Sequence, residues 1–204
     1  MKPRNLAVVS AGLSQPSSTR LLADQLAAAT GEELDRLGVP FDTHVIELRD
    51  HAHDVVNRML TGFPSAGLKQ VIDTVARADG LIAVSPVFNA SYSGLFKSFF
   101  DVVGDKSLVD KPVLVAATGG TIRHSLALEQ ALRPMFVYLR AVVVPTSVFA
   151  AAEDWAGATA EGSLRSRIRR ATAELAEQMQ RRDTKPVEDP FALVTPFEQL
   201  LAGE

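Results

Sequence analysis

The chain has 204 residues, 47% of them hydrophobic, and carries 21 Lys and Arg against 24 Asp and Glu for a formal charge of -3. That length supports one sizeable core, and a near-balanced charge without runs of one sign removes the electrostatic footprint of a nucleic-acid or membrane-surface binder. No cysteine is present, so disulfides, thiol redox chemistry and Cys-ligated metals are excluded, and any redox role falls to a bound cofactor.

The opening MKPRNLAVVSAG has too short an apolar stretch for a signal peptide, and no segment approaches the ~18 apolar residues of a membrane span. The expected compartment is the cytoplasm, and the expected partner is a small molecule or a protein. Leu6 to Ser10 reads as a short apolar strand. Ser17 to Leu37 reads as a helix with Leu22, Leu26, Ala29 and Leu37 near one face and Gly38 as its stop. Phe41 to Leu48 alternates as a second strand, Arg49 to Gly67 is irregular, and Leu68 to Ala78 sets Leu68, Val71, Ile72 and Val75 on the apolar side of a helix. Gly80 to Ser85 (GLIAVS) and Pro112 to Ala117 (PVLVAA) are unbroken apolar runs, the pattern of strands covered on both faces of a parallel sheet. Helices follow them over roughly Gly94 to Val103 and Ser125 to Leu139. Ala141 to Val144 is a fifth strand, and Leu164 to Arg182 a last helix.

Five strand–helix units predict a doubly wound α/β domain over residues 1–182. Residues 183–204 read as a linker and a short helical tail, with Thr195 as N-cap, Pro196 at the first helical position and Glu198 completing a capping box.

In an open parallel sheet, ligands bind beyond the carboxyl ends of the strands, where neighbouring connections diverge. Three loops meet there. SAGLSQPSSTR, after the first strand, lacks G-x-x-x-x-G-K-[ST] and G-x-G-x-x-G, so it is neither a Walker loop nor a dinucleotide turn. It offers a helix N-terminus with free amides, the hydroxyls of Ser14, Ser17, Ser18 and Thr19, and the Arg20 guanidinium, a donor set that suits a phosphate monoester. Ordinary N-capping accounts for the same residues. SPVFNASYSG, after the third strand, stands Pro86, Val87, Phe88, Asn89, Ser91 and Tyr92 beside backbone amides; a flat ring fits there, and so does a core or interface role for the aromatics. ATGGTIRHS, after the fourth, leaves the amides of Thr118, Gly119, Gly120 and Thr121 uncovered, as either a glycine turn or a set of donors to a carbonyl edge.

Taken together and in this order, SQPSSTR, SPVFNASYSGLFKSFFD and ATGGTIRHSLALEQALRP resemble the NADPH-dependent FMN reductase family over about Leu6 to Val148. The ending PFEQLLA is similar to the branch partnered with luciferase-like flavin-dependent monooxygenases. The resemblance implies a flavodoxin-like three-layer sandwich with a five-stranded parallel sheet in the order 2-1-3-4-5. It implies FMN with its phosphate on Ser14, Pro16, Ser17, Ser18 and Thr19, supported by Arg20. Its ring would lie along Pro86, Val87, Phe88 and Asn89, with its pyrimidine edge at Thr118, Gly119, Gly120 and Thr121. Phe88 stands where many relatives have Tyr. The implied chemistry is hydride transfer from NADPH or NADH to flavin N5, which depends on ring positioning by Phe88, Gly119 and Gly120 more than on a general acid, and needs no metal.

A dimer or tetramer is also implied, with Leu95, Phe96, Phe99 and Phe100 helping to bury the interface, and with a flavin-dependent monooxygenase as partner. Outside the loops, His51 and His53 form an H-x-H with too few ligands for a metal site. Arg123 is placed to meet a 2'-phosphate or solvent, His124 to approach the nicotinamide or to serve a local structural role, and Lys97 with Asp101 to pair at i,i+4. An FMN-containing quinone, azo-dye or metal-ion reductase and a flavodoxin-type electron carrier are the alternatives; the modest net charge weighs against the carrier.

Overall fold

The computed structural model describes residues 3–104, 106–156 and 163–182. Its first unit runs from β1 (Arg4–Ser10) through α1 (Ser18–Arg36) to β2 (Phe41–Glu47). Then come α2 (Ala52–Thr61), α3 (Ala66–Arg77), β3 (Gly80–Phe88), the short β4 (Ser91–Tyr92) and α4 (Gly94–Val102). β5 (Pro112–Gly119), α5 (Arg133–Tyr138), β6 (Val142–Val143), β7 (Val148–Ala151) and α6 (Leu164–Arg181) complete the order.

The sheet runs β2-β1-β3-β5-β6, all parallel along that path, with β7 pairing β5 and β4 joining β3 in antiparallel fashion. This is the flavodoxin-like 2-1-3-4-5 order, with its last position split in two. β6 pairs Pro112 and Val113, and β7 resumes beside Ala116 to Gly119. Pro145 lies in the gap, where it has no N–H to continue the ladder.

The unbroken apolar strands follow from burial on both faces. Ala7, Val9, Leu81, Ala83, Val113 and Val115 pack against α2 to α5, while Leu6, Val8, Ile82, Val84 and Leu114 pack against α1 and α6. Strand side chains alternate between faces, so both alternating sets must be apolar.

Three expectations need correction. The stretch from Arg49 to Gly67 is not irregular: a 3-10 turn over Leu48–His51 leads into α2, and α3 begins at Ala66. Val55, Val56, Met59 and Leu60 recur at helical spacing along α2, with Val55 buried and the other three exposed. The helix expected over Ser125 to Leu139 is not one regular α-helix: it is a π-helical stretch at Leu128–Leu132 running into α5, with a separate short turn before it at Ile122–His124. Pro134 has no N–H for the i-4 ladder, and the Arg133 amide closes a wider ring onto the Leu128 carbonyl.

Phe96, Phe99 and Phe100 do not await a subunit interface. They are buried within the chain, with ring centroids of Phe96 and Phe100 4.8 Å apart and of Phe100 and Phe136 4.9 Å apart. Each such ring contributes roughly 1.5–3 kcal/mol by burial. The expected tail helix, with its Thr195 cap, lies outside the described residues. No helix among the described residues is long and apolar enough to cross a membrane.

Candidate functional site

The carboxyl ends of β1, β3 and β5 bring the three loops to one edge. Ala11 extends β1 by donating to the Val84 carbonyl at 2.9 Å, after which the chain turns through Gly12 to Ser17. A Cβ at Gly12 would collide with the Ser17 hydroxyl, so glycine lets the turn close against the start of α1. Ser17 is the N-cap, its hydroxyl accepting from the Arg20 amide at 3.2 Å. Helix geometry leaves the first amides, at Ser18 and Thr19, without an intrahelical acceptor, and no acidic residue occupies the first turn. At the base of this loop the Ser10 hydroxyl is fully buried without a hydrogen-bond partner. Buried hydroxyls are ordinarily satisfied. An orphan hydroxyl, free amides and exposed Ser14 and Ser18 make a donor set that fits a phosphate group.

Thr19 and Thr118 are both buried, and their hydroxyls bond each other at 2.8 Å. This bond ties the first loop to the third. Pro86 pairs with Thr118 in the sheet register, which ties the second to the third.

The second loop is a tight hairpin. Val87 opposes Tyr92, Phe88 opposes Ser91, and Asn89 and Ala90 adopt φ of 48° and 70°, the left-handed pair of a two-residue turn. Alanine in that region costs about 1 kcal/mol. The turn holds Phe88 out at 46% exposure while Pro86 is buried and Val87 packs on the core. Ser85 accepts from the Ser93 amide at 2.9 Å, and Ser93 in turn caps α4 by accepting from Phe96 at 3.2 Å.

In the third loop Gly119 lies close to Phe149; a Cβ there would come within 2.8 Å of the ring. The space beside Gly120 is open. Thr121 caps the short turn that carries the exposed Arg123 and His124.

Charge at the first loop differs from expectation. Arg20 does not stand free: its Nε donates to Asp24 at 2.8 Å and its Nη1 to Glu47 at 2.5 Å. The hydrogen bond with Asp24 raises the Arg20 pKa above its ordinary value, burial opposes the rise, and Glu47 adds to it. Arg49 reaches the loop instead, its Nη1 3.5 Å from the Ser14 carbonyl and its Nε 3.7 Å from Glu47 and 3.4 Å from Asp50. Ser10, Gly12, Glu47 and Arg49 were not among the residues that sequence reasoning selected. The adjacency of strands 1 and 2 was the available signal, since it sets Ser10 directly beside Glu47.

Of the weaker candidates, Lys97 pairs with Asp101 at 2.5 Å. His51 and His53 straddle the start of α2, and no group of three or more His, Asp or Glu able to hold a metal occurs among the described residues. A cleft of about 440 Å³ beside α3, lined by Asn5, His44, Lys69 and Arg77 among others, includes none of the three loops.

A family model described as NADPH-dependent FMN reductase matches residues 4–156. The FMN reductase (NADPH) of Pseudomonas aeruginosa PAO1 is 40% identical over 153 residues, 75% of this chain and 80% of that protein. The NADH-dependent FMN reductase SfnE of Pseudomonas putida is 36% identical over 170 residues, 83% of this chain and 89% of its own. Among solved structures, an oxidoreductase from Corynebacterium diphtheriae superposes with a TM-score of 0.86 at 43% identity, covering 90% of this chain and all of that one.

Proposed function

The chain belongs to the NADPH-dependent FMN reductase family, and from that premise we propose how its three loops divide the work of an NAD(P)H-dependent FMN reductase. Bound FMN supplies the ring that accepts a hydride from the reduced nicotinamide. The first loop holds the phosphate through the amides at the start of α1 and the hydroxyls of Ser14, Ser17 and Ser18, with Pro16 shaping the turn and Ser10 beneath it. Thr19 is spent on Thr118, so its hydroxyl fixes the spacing between the phosphate loop and the ring loop. Pro86, Val87, Phe88 and Asn89 form the shelf along the ring, and the strained hairpin keeps Phe88 exposed for stacking. The amides of Gly119, Gly120 and Thr121 face the pyrimidine edge, where they stabilise the negative charge that reduction brings.

The observation that carries this reading is the joining of the three loops at one sheet edge by the Thr19–Thr118 bond and the Pro86–Thr118 register. Hydride transfer between stacked rings asks for orientation before proton transfer.

The site would supply a flavin-dependent monooxygenase with reduced flavin, and the exposed Phe88 would leave the flavin free to exchange. Residues 1–182 form the flavin-binding domain of a cytoplasmic protein, with 183–204 as linker and tail. Exposed Met59 and Leu60 on α2 and Phe63 just beyond it, together with Val137 and Tyr138 on α5, support a homodimer or homotetramer built on those faces. Steady-state oxidation of NADPH and NADH with FMN, FAD and riboflavin varied in turn tests the reading: FMN saturates the rate, and failure to oxidise either nicotinamide in its presence overturns it.

A further inference from the structure

The phosphate end of the site carries charge of both signs. Arg20 and Arg49 supply two guanidiniums, and Asp24, Glu47 and Asp50 supply three carboxylates, all within one continuous set of ion pairs. Glu47 is its centre. One of its oxygens takes Arg20 at 2.5 Å and the other stands 3.7 Å from Arg49, so both cations near the loop are drawn to the same carboxylate. Its place is fixed by the sheet, because Glu47 is the register partner of Ser10, whose unpartnered hydroxyl forms the floor of the loop. Adjacent parallel strands lie about 4.8 Å apart. The carboxylate therefore lies at the edge of the cup that would hold a dianionic phosphate, with its side chain 22% exposed and only partly screened by water.

We propose that Glu47 sets the affinity of the site for the phosphate of FMN: it engages both arginines and tips the set to an excess of negative charge, so that FMN is held loosely and exchanges between turnovers. This rests on the reading that the first loop binds the flavin phosphate. A guanidinium shared with a carboxylate donates less to an incoming anion, and the carboxylate itself repels that anion. Either effect acts on FMN and leaves riboflavin, which has no phosphate, untouched.

Titration of flavin fluorescence with FMN and with riboflavin tests this on wild type, Glu47→Gln, Glu47→Asp and Asp24→Asn. Glu47→Gln tightens FMN on the order of tenfold at low salt, an amount that shrinks as salt rises. Riboflavin binding does not change. Asp24→Asn, which removes one of the two carboxylates on Arg20 and leaves Glu47 in place, tightens FMN less, and Glu47→Asp, which keeps the charge, stays near wild type. If wild type prefers FMN over riboflavin while Glu47→Gln leaves FMN binding unchanged or weaker, the role of Glu47 is overturned and the reductase reading stands. If wild type does not distinguish FMN from riboflavin, the placement of the phosphate fails, and the role of Glu47 fails with it.

Discussion

Two buried polar residues, Lys111 at the amino end of the parallel sheet and Ser10 at the carboxyl end, are treated in opposite ways. At the amino end, Lys111 lies just before β5, 1% exposed, and its ammonium donates to the carbonyls of Val75, Ala76 and Ala78 at 2.5, 2.9 and 2.9 Å. Three N–H groups meet three acceptors, so a buried cation closes the C-terminus of α3 with nothing left over. At the carboxyl end, Ser10 is buried to the same degree with no partner, Ala90 is held in a left-handed turn, and two arginines are restrained by acids beside an exposed loop. The first end satisfies its buried ammonium, although Arg4 Nε there is buried without a partner. The second leaves donors and strain where a ligand can use them.

Substitutions separate the ends. Phe96→Ala, in the core that underlies both, removes a fully buried ring and costs about 3–5 kcal/mol in urea unfolding. Lys111→Met leaves the end of α3 without its donors and costs about 3 kcal/mol, while the FMN-to-riboflavin affinity ratio stays at the wild-type value. Stability should also carry a pH signature. Burial pushes the Lys111 pKa down to about 7, below its unfolded value. From there to the unfolded pKa of about 10.4, the unfolded chain binds more protons and wild-type stability rises with pH, by at most about 1.4 kcal/mol per unit. Below pH 7 this group adds no slope. Unfolding at pH 7 and pH 9 measures the rise, which Lys111→Met abolishes.

Thr118→Val breaks the link between the loops and costs about 1 kcal/mol. It lowers kcat/KM for FMN by more than that stability change explains, since the phosphate and ring subsites lose their fixed spacing. Ser10→Ala is the smallest in stability, within about 0.5 kcal/mol, because it deletes a hydroxyl that bonds nothing. It nevertheless weakens FMN relative to riboflavin. A marked loss of stability in Ser10→Ala would erase the contrast between the two ends.

The legibility of the chain followed the same division. Where both faces of a strand are buried, as in GLIAVS and PVLVAA, composition alone declares the strand, and the order of the sheet then names the edge where a ligand binds. α2 is a helix whose apolar stripe, Val55, Val56, Met59 and Leu60, was present at helical spacing but short, and in the helix expected over Ser125 to Leu139 the π stretch ahead of Pro134 left no signal in the apolar pattern. Phe96, Phe99 and Phe100 show the limit of helical spacing: the same pattern serves a core or an interface, and only the packing decides, of Phe96 and Phe100 on Phe136 and of Phe99 on Phe100.

At the site, the loops were legible one by one, while their bonds to one another were not. Thr19 is 99 residues from Thr118, and Glu47 meets Ser10 through strand register, so sequence spacing carries neither contact. Arg20 is the instructive case. Its i,i+4 neighbour Asp24 was visible in the sequence, and that pairing, together with Glu47, keeps the guanidinium from standing free for a phosphate.

The central claim is that the first loop seats the phosphate of a flavin that the other two loops hold by its ring. Steady-state NADPH and NADH oxidation, with FMN and riboflavin compared at matched concentrations, tests it most directly. The account predicts a kcat/KM for FMN about tenfold or more above that for riboflavin, the equivalent of about 1.4 kcal/mol held through the phosphate. Equal values for the two flavins would contradict it.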